Sequence, residues 1–522
     1  MPTLKIDNRQ VSVAQGSTVL DAARSLGIDV PALCHRDGCT PNTSCLCCIV
    51  RVNGGKRLVP SCATKAADGM VVESETPEIR SARQMALELL LADHAGDCRA
   101  PCQNVCPARM DIATMIRQIH AGELREALLT VKQRIALPAV LGRICPELCE
   151  KGCRRGQIDA PVSICQLKRY VADVDLASGH PWLPACREPT GKRVAIAGAG
   201  PAGLAAAWYL LQLGHACVLF DEHDEPGGNL RYAVDPEKLP RDVLNREIGL
   251  LHELGARFQT RQKIGAAISL AELKQQYDAV LLALGEMDAA KAAALGMPML
   301  GKGLKTDKKT MLTPQAGVFA TGAAVTPYRH AVRAVADGRS AALLVDAFLR
   351  GVVAAAEPQF TVRLGVLSDT ELAAFQSNAT RDPRAAAVAP TAGLSDRQAA
   401  GESGRCLHCE CAKLSSCSLR KYAIDYGASV SAYKMQRRPF VRTASHPLVV
   451  YEPGKCISCG ICVQIARNAA EPLGLTFVGR GFDVRIGVPF NGALAEALTK
   501  TAKECAAACP TGALALGACP PQ

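Results

Sequence analysis

The strongest hydrophobic pattern in the chain lies between residues 193 and 221. The apolar run Val194–Ala197 predicts a buried strand, Leu204–Leu213 predicts a helix, and Ala216–Phe220 predicts a second strand. Gly214 follows the predicted helix, at a position where glycine often ends one. A strand, a helix and a strand in this order are typical of a parallel α/β unit.

The turn between the first strand and the helix carries glycines at GxGxxG spacing. Gly198 permits a tight turn, Gly200 lets a pyrophosphate approach the backbone, and Gly203 lets the helix pack closely on the strand. The N–H groups at the start of the helix favour bound phosphate. Asp221, at the end of the second strand, would accept a hydrogen bond from a ribose hydroxyl. The pattern therefore predicts a dinucleotide-binding site.

The sequence GAGPAG, followed by PGG at 226–228, resembles the FAD site of flavoproteins that contain two dinucleotide-binding domains. The segment NLRYAVDPEKLP matches the part of that family that runs over the flavin, and the apolar run Tyr277–Leu284 predicts a further strand. The resemblance implies that FAD is bound by the following residues: Gly198, Gly200, Pro201, Ala202, Gly203, Asp221, Gly228, Arg231, Gly285 and Gly322.

The chain departs from the flavoprotein pattern in two places. The family inserts a second fingerprint, for NADPH, near the position of Gly285, but this chain has no second GxGxxG. We therefore expect the nicotinamide-binding domain to be missing. The family also has an aspartate for the ribityl and pyrophosphate region where this chain has Ala323, a loss of about 1.5–3 kcal/mol. FAD remains the prediction, and an empty vestigial fold is the alternative.

A first group of cysteines lies near the N-terminus, where short apolar runs predict a hairpin and Thr18–Leu26 predicts a helix. Cys34, Cys45, Cys48 and Cys62 follow at gaps of ten, two and thirteen residues. Four such thiolates suit a 2Fe-2S cluster in a β-grasp fold, with zinc at the same residues as the alternative. The long first gap resembles the N-terminal domain of the large iron–sulfur subunit of complex I and of related hydrogenase and formate dehydrogenase subunits.

Two cysteine triplets occupy the next region, where the periodicity predicts helices. This region resembles the N-terminal domain of glutamate synthase small subunits and dihydropyrimidine dehydrogenase, in which the triplets interleave over two 4Fe-4S clusters. The resemblance assigns Cys98, Cys102 and Cys153 to one cluster. His94 stands near the family's fourth, upstream cysteine, and complex I also uses a histidine before three cysteines. A solvent-facing loop histidine is the alternative.

The same resemblance assigns Cys106, Cys145 and Cys149 to the second cluster. In that family this cluster takes a glutamine ligand. The resemblance places Gln166 in that role, and the neighbouring Cys165 is a rival ligand. If Gln166 is no ligand, it is an ordinary helix residue.

Two further cysteine groups lie towards the C-terminus. Cys406, Cys409, Cys411 and Cys417 fall within twelve residues and predict a single 4Fe-4S cluster, with zinc as the alternative. CxxCxxC at Cys456, Cys459 and Cys462, with a distant Cys-Pro at Cys509, is typical of a ferredoxin-type cubane. The insert GLTFVGRGFDVRIGVPF also resembles complex I-type and formate dehydrogenase subunits.

Composition narrows the function classes. The N-terminus lacks a signal-peptide pattern and no apolar run is long enough to span a membrane, so we expect a cytoplasmic protein without membrane insertion. In that compartment, 25 cysteines indicate metal ligands rather than disulfides. The net charge of +11 would be offset by clusters that carry about −2 each. With 4% aromatic residues, stacking on nucleic acid is not expected.

The sequence thus predicts a multidomain α/β chain. The expected order is a β-grasp 2Fe-2S domain, a helical domain with two 4Fe-4S clusters, a Rossmann-type FAD domain without its NAD(P)H domain, an extended connector, and a C-terminal ferredoxin-like 4Fe-4S domain. Their respective boundaries are 1–78, 79–180, 190–350, 351–404 and 405–522. The cofactor expectation is FAD, one 2Fe-2S cluster and about four 4Fe-4S clusters.

No Ser/His/Asp set and no carboxylate pair at catalytic spacing was found. The expected function is therefore an electron-transfer subunit of a multi-subunit oxidoreductase. It would relay electrons between a diaphorase-like or other donor and a catalytic subunit such as a formate dehydrogenase, a hydrogenase or a tungsten or molybdenum enzyme. The alternative is a self-sufficient NAD(P)H-dependent flavoprotein oxidoreductase, as in glutamate synthase small subunits.

Overall fold

The structure is a computed structural model that describes residues 1–353, 360–377, 379–387, 392–433 and 437–517. It contains two folding units, and the chain passes four times from one unit to the other. Unit 1 consists of Met1–Arg99, Pro358–Asn378 and Cys409–Gln522. Unit 2 consists of Ala100–Glu357 and Ala379–His408. Each unit has its own buried apolar core.

Unit 1 begins with a mixed five-stranded sheet. Its first two strands form the predicted hairpin, and the first strand also pairs in parallel with the last. In sheet order, the strands are Arg9–Ser12, Thr3–Ile6, Val71–Glu73, Ile49–Val52 and Leu58–Pro60. The first helix begins after Thr18, whose side chain accepts a hydrogen bond from Asp21 N, while the Asp21 carboxylate accepts one from Thr18 N.

The remainder of unit 1 is built from short elements. Its helices are Val19–Ser25, Pro77–Ala92, Asp369–Gln376, Ser418–Asp425, Ile461–Asn468, Leu494–Ala497 and Ala502–Ala508. Two antiparallel ribbons pair Val449–Tyr451 with Leu514–Leu516 and Thr476–Val478 with Arg485–Gly487. Short 3₁₀ turns occur at Pro453–Lys455, Gly481–Asp483 and Pro489–Asn491.

Unit 2 begins with a layer of helices. These are Pro101–Val105, Ile112–His120, Leu124–Lys132, Pro138–Ile144, Leu148–Lys151 and Ile164–Ala177, with a 3₁₀ turn at Arg154–Gln157. Their apolar residues share one core with the α/β part of the unit. A buried carboxylate also joins the two parts, because Glu247 accepts hydrogen bonds from Ala139 N at 3.0 Å and Val140 N at 2.9 Å. These are N–H groups that the start of a helix cannot satisfy by itself.

The α/β part of unit 2 contains the strand, helix and strand that the sequence predicts. Its sheet is entirely parallel, in the order Val318–Ala320, Ala279–Leu282, Arg193–Ala197, Ala216–Phe220 and Arg257–Gln259. Its helices are Pro201–Gln212, Asn229–Tyr232, Arg241–Glu253, Leu270–Gln276, Ala289–Ala294 and Ala331–Leu349. A ribbon of Met299–Leu300 and Gly303–Leu304 and a 3₁₀ turn at Gly322–Ala324 complete it. In the described part of the chain, this is the one five-stranded parallel sheet.

The segment predicted as an extended connector, 351–404, contains two helices instead. Asp369–Gln376 belongs to unit 1 and Asp396–Gly404 belongs to unit 2. Each begins at a capping box, formed by Ser368 with Glu371 and by Ser395 with Gln398. Parts of the predicted connector, 354–359, 378 and 388–391, lie outside the described residues. Among the helices that are described, none is both long and apolar enough to cross a bilayer.

Candidate cofactor sites

A cleft of about 820 Å³ opens along the parallel sheet of unit 2. Seven of the ten residues predicted to bind FAD line it: Gly198, Gly200, Pro201, Ala202, Asp221, Gly228 and Gly285. The helix Pro201–Gln212 begins directly after the glycine turn, so the N–H groups of its first turn face this cleft. The volume lies in the range of sites for large ligands.

The glycine turn is packed too closely for side chains. A Cβ on Gly203 would lie 1.9 Å from Gly198 O, and a Cβ on Gly198 would lie 2.4 Å from Ala283 O. Gly228 lies over the same turn, and a Cβ there would lie 2.8 Å from the Cα of Gly200. The sequence GAGPAG and the PGG segment therefore form one backbone cradle.

Asp221 holds this cradle together. Its Oδ2 accepts a hydrogen bond from Ala199 N at 2.7 Å, and its Oδ1 accepts from His223 N at 3.0 Å and contacts His223 Nδ1 at 2.8 Å. A carboxylate has about four acceptor positions, so one remains for a ribose hydroxyl.

Three of the ten predicted residues do not line the cleft. Gly203 lies beneath the turn, and Gly322 begins a 3₁₀ turn whose next residue, Ala323, does line the cleft. Arg231 also lies outside the lining of the cleft. Its guanidinium pairs with Glu225 at 2.5 Å and donates to Pro226 O at 2.8 Å, so it braces the PGG segment instead.

Sequence reasoning missed several side chains of the cleft. Lys238, Lys263, Lys291, Arg329 and His330 line it. Asp221, Glu222 and Glu286 also lie in the lining, so the cleft has a small excess of positive charge that suits a pyrophosphate. Beside Ala323, the Tyr328 hydroxyl donates to Asp337 Oδ2 at 2.7 Å. Because these residues lie outside the glycine fingerprint, local spacing gave no signal for them.

The thiols of the first cysteine group meet in unit 1. Cys34 lies within hydrogen-bonding distance of Cys45 and Cys62, and Cys62 contacts Cys48. The contacts with Cys45 and Cys62 lower the pKa of Cys34, although burial opposes them. The structure therefore brings together the four residues that the spacing selects.

The second thiol group of unit 1 lines a cavity of about 290 Å³. Its members are Cys456, Cys459, Cys462 and Cys509. Burial and the charges of nearby thiolates together raise the pKa of Cys456 to about 11 and that of Cys459 to about 12. The Cys34 thiolate is one of the charges that act on Cys459.

Two hydrogen bonds of the Gln464 side chain join the two thiol groups of unit 1. Thr40, in the loop of the first group, donates from its N–H to Gln464 Oε1 at 2.7 Å, and Gln464 Nε2 donates to Thr40 O at 2.8 Å. Gln464 lies on the helix Ile461–Asn468, which also carries Cys462.

A four-thiol group also forms in the helical layer of unit 2. Cys165 Sγ lies 3.9 Å from Cys149 Sγ and is in hydrogen-bonding contact with Cys145. The buried Lys168 lies one helical turn beyond Cys165. Burial lowers the pKa of Lys168, but the charges of the thiolates outweigh this and raise it. The thiolates that act on Lys168 are Cys165, Cys145, Cys149 and Cys106.

Cys165, which the sequence offers as the rival ligand, is thus the fourth thiol of this group, and the ligand role of Gln166 stays a prediction. The two residues are neighbours on the helix Ile164–Ala177, so their side chains point about 100° apart. Gln166 Oε1 is buried without a hydrogen-bond partner, which leaves it able to bind a metal, but no described contact joins it to the thiols. The glutamate synthase resemblance did not indicate Lys168.

The motif predicted as one cluster, Cys406 to Cys417, is divided between the units. In unit 2, partial burial and the charge of the Cys406 thiolate raise the pKa of the half-buried Cys153. In unit 1, burial and the charges of Cys411 and Cys98 raise the pKa of Cys417 to about 11. Cys98 and Cys102, predicted to share a cluster, also belong to different units. Cys102 lies on the helix Pro101–Val105, and Cys409 is half-buried at the start of the last unit 1 segment.

His94 is not the solvent-facing histidine of the alternative prediction. Its Nδ1 is buried and has no hydrogen-bond partner. Burial and the charge of Lys455 together lower the pKa of His94 to about 4, although the charge of Glu452 opposes them. Lys455 itself is buried and pairs with Glu452.

The distances between the thiol sulfurs help to distinguish a zinc site from an iron–sulfur cluster. Thiolates around one zinc ion lie about 2.3 Å from the metal, so a tetrahedron of them spans about 3.8 Å between sulfurs. Within the described residues, the one group of three or more possible ligands that lie within 4.8 Å of one another is Asp21, His35 and Asp37. Single pairs of thiols come as close as this, such as Cys149 and Cys165 at 3.9 Å, but no three described cysteines do, and this fits the thiolates of a multi-iron cluster better than those of one zinc ion.

Three known domain families match parts of this chain. Residues 1–77 match the 2Fe-2S iron–sulfur cluster binding domain family, and residues 79–180 match the family of dihydropyrimidine dehydrogenase domain II, 4Fe-4S cluster. Residues 196–261 match the NAD(P)-binding Rossmann-like domain family. The chain combines iron–sulfur domains with a Rossmann-like domain. The multidomain α/β class is thereby confirmed.

Individual relatives match parts of the chain. It is 37% identical to the NADP(+)-dependent formate dehydrogenase subunit beta of Moorella thermoacetica, over 38% of this chain and 31% of that protein. It is 38% identical to the NAD-dependent dihydropyrimidine dehydrogenase subunit PreT of Salmonella typhimurium, over 36% of this chain and 45% of that protein. The matches thus span less than half the length of these relatives. A solved NAD+-reducing [NiFe]-hydrogenase aligns over 99% of this chain and 88% of its own at 12% identity, with a TM-score of 0.36.

Proposed function

We propose that this chain is an electron-transfer subunit of a larger oxidoreductase and that it holds FAD together with one 2Fe-2S and about four 4Fe-4S clusters. One observation carries the proposal. Ile144 and Pro146 line the dinucleotide cleft, and Cys145 between them belongs to the four-thiol group of unit 2. A redox nucleotide and a metal cluster would therefore be neighbours within one folding unit.

FAD is favoured over NAD(P) by the residues around the turn. The GAGPAG sequence and the PGG segment form a single cradle, as in the flavoproteins that the sequence resembles. In the described part of the chain there is one parallel sheet and one such cradle, so a second nucleotide beside the flavin would lack a fold of its own.

The protein's own residues would bind, orient and shield the cofactors. The helix that begins at Pro201 would orient the pyrophosphate, and Arg329 and Lys238 would offset its charge. The buried thiolates would hold the clusters away from water. FAD can take up an electron pair and release single electrons, whereas each cluster carries one, so together they would interconvert the two kinds of transfer.

The partners would be other subunits of the same complex. One would supply electrons, as a diaphorase-like subunit does, and another would carry the substrate chemistry of a formate dehydrogenase, a hydrogenase or a tungsten or molybdenum enzyme. Relatives named as subunits of a formate dehydrogenase and of a dihydropyrimidine dehydrogenase support this assignment.

A second candidate is a self-sufficient NAD(P)H-dependent flavoprotein oxidoreductase. It is favoured by the relative named glutamate synthase [NADPH] small chain of Bacillus subtilis, which is 35% identical over 41% of this chain. The experiment is to purify the chain without oxygen, measure flavin, iron and sulfide, and mix it with NADH or NADPH. Bound FAD and iron with slow bleaching support the relay, whereas rapid bleaching by either nucleotide supports the second candidate.

A substitution in the glycine turn tests whether this cleft holds the flavin. In G203A the new methyl group would lie 1.9 Å from Gly198 O, which the sheet holds in place, so we expect at least a tenfold loss of flavin per chain. G249A is the matched control, because this glycine also lies in a helix of unit 2 and a Cβ there meets nothing within 4 Å. Equal flavin content in G203A and G249A would contradict the assignment.

A further inference from the structure

We propose that His94, Cys98, Cys411 and Cys417 bind an iron–sulfur cluster of their own in unit 1. The inference rests on the proposed electron relay and adds a ligand set that the spacing of the cysteines does not suggest. Two ligands come from the N-terminal part of the unit and two come from a segment more than three hundred residues later.

The three thiols converge from separate segments. Cys411 N donates to Cys98 O at 3.3 Å, so the two stretches of backbone run in contact. The charges of Cys411 and Cys98 both act on the Cys417 thiol. Backbone N–H groups also point at the sulfurs, from Val362 to Cys98 Sγ at 3.4 Å and from Arg420 to Cys417 Sγ at 3.4 Å. Such donors stabilise thiolates that bind metal.

His94 and the thiol of Cys411 have a common neighbour, the ammonium group of Lys455. The charge of Lys455 lowers the pKa of His94, and the charge of Cys411 raises the pKa of Lys455, so both side chains lie close to that ammonium group. Gly96, two residues after His94, packs so closely on Lys455 that a Cβ there would lie 2.4 Å from Lys455 Cε. A buried imidazole nitrogen without a hydrogen-bond partner is costly unless it binds something.

The surroundings suit a group of negative charge. Lys455 is buried near Cys411, and the charges of Arg420 and Lys455 both act on Cys98. The Arg420 Nε is buried without a hydrogen-bond partner. The ligand atoms are too far apart to enclose one ion, so the fourfold set fits an iron–sulfur cluster better than zinc.

The new site extends a row of cofactors through unit 1. Cys417 is close enough to Cys509, of the ferredoxin-type group, for their charges to interact. Cys459 of that group interacts in the same way with Cys34 of the 2Fe-2S group. An electron could therefore pass along unit 1 from the 2Fe-2S thiols to the ferredoxin-type group and on to the site of His94, or in reverse.

The test uses the full-length chain, purified without oxygen, with iron, sulfide and zinc analysis and EPR spectra during reductive titration. We expect C411S and C417S to remove the same cluster signal and about four irons per chain. C406S should leave that signal and remove a different one. C39S, at a half-exposed cysteine of unit 1, should leave every signal.

His94 is tested separately, because a serine variant could simply fold poorly. H94C should keep the full iron content but lower the reduction potential of this one signal, since a thiolate adds negative charge where the imidazole is neutral. C409S should leave the signal unchanged.

Several results would overturn the inference. If C406S and C411S lose the same signal, the four neighbouring cysteines Cys406 to Cys417 bind one cluster after all. Loss of the signal in C409S or an unchanged reduction potential in H94C would also contradict the ligand set. So would zinc in place of four irons. The proposed function fails on a different result, namely wild-type protein without flavin or without clusters that reduce.

Discussion

The 2Fe-2S thiols of unit 1 and the four-thiol group of unit 2 are assembled in different ways. Three of the first four thiols lie on one loop, from Cys34 to Cys48, which turns through left-handed backbone at Thr43 and Leu46. Each thiol of the other group depends on a different helix. Cys106 and Cys145 follow the helices Pro101–Val105 and Pro138–Ile144, whereas Cys149 and Cys165 lie on Leu148–Lys151 and Ile164–Ala177.

This difference shows which part of the structure fixes the positions of the thiols in each group. A loop group is fixed by local backbone, so the spacing of its cysteines describes it well. A group on several helices is fixed by packing and by buried charges, here Glu247 beneath one helix and Lys168 beside the thiols. We therefore expect the loop group to tolerate changes in packing that the helical group does not.

The largest expected effect is the loss of a whole cluster when Cys165 is changed. C165S should remove or degrade the cluster of the helical group, because a neutral hydroxyl replaces the fourth thiolate. Q166A should keep its iron, because no described contact joins the Gln166 side chain to the thiols. Iron analysis and EPR under reduction measure both variants.

The 2Fe-2S signal serves as an internal control in these two variants and should not change. If Q166A loses the cluster and C165S keeps it, Gln166 is the fourth ligand, as the glutamate synthase resemblance implies, and Cys165 is not.

The second effect is on stability. E247A leaves the N–H groups of Ala139 and Val140 buried without an acceptor, which should cost about 2–4 kcal/mol. The helix that they begin ends at Cys145, so cluster content in unit 2 should fall while the 2Fe-2S signal stays. E253A, an exposed glutamate of the same helix Arg241–Glu253, is the control and should change the melting temperature little.

The same carboxyl gives a pH dependence with a definite sign. Burial raises the pKa of Glu247 from 4.5 to about 7. A raised pKa in the folded state means that the contribution of this group to stability is complete below pH 4.5 and is lost as the pH rises through about 7. The melting temperature of the wild type relative to E247A should therefore be lower at pH 8 than at pH 5. An equal difference at both values would show that Glu247 is ionised throughout.

The sequence predicted a feature well where the residues that form it lie close together in the chain, and poorly where they lie far apart. The helix predicted at Leu204–Leu213 is found at Pro201–Gln212, because the glycine turn and the apolar run lie together in the chain. The pairing of Cys98 with Cys411 had no local signal, since contacts between remote segments depend on packing. The choice between Cys165 and Gln166 depends on a shift of one residue, which a resemblance of short motifs does not fix. The segment predicted as a connector contains capping-box sequences that indicate its two helices, but its Ala- and Pro-rich composition favoured the prediction of an extended connector.

The smallest expected effect is electrostatic and concerns Lys168. K168M removes a buried positive charge beside the helical thiols while keeping a side chain of similar length. The reduced cluster carries one more negative charge than the oxidised cluster, so losing the ammonium group should disfavour reduction. We expect its reduction potential to fall by roughly 60 mV, the one-electron equivalent of about 1.4 kcal/mol.

A redox titration followed by EPR measures the potential, and the 2Fe-2S signal should hold its position. K168R, which keeps the charge, should restore most of the potential. K151M, at an exposed lysine on the helix that carries Cys149, should shift it far less because water screens that charge. Equal shifts in K151M and K168M would mean that the helical group lies open to solvent, and the contrast with the loop group would then lose its electrostatic basis.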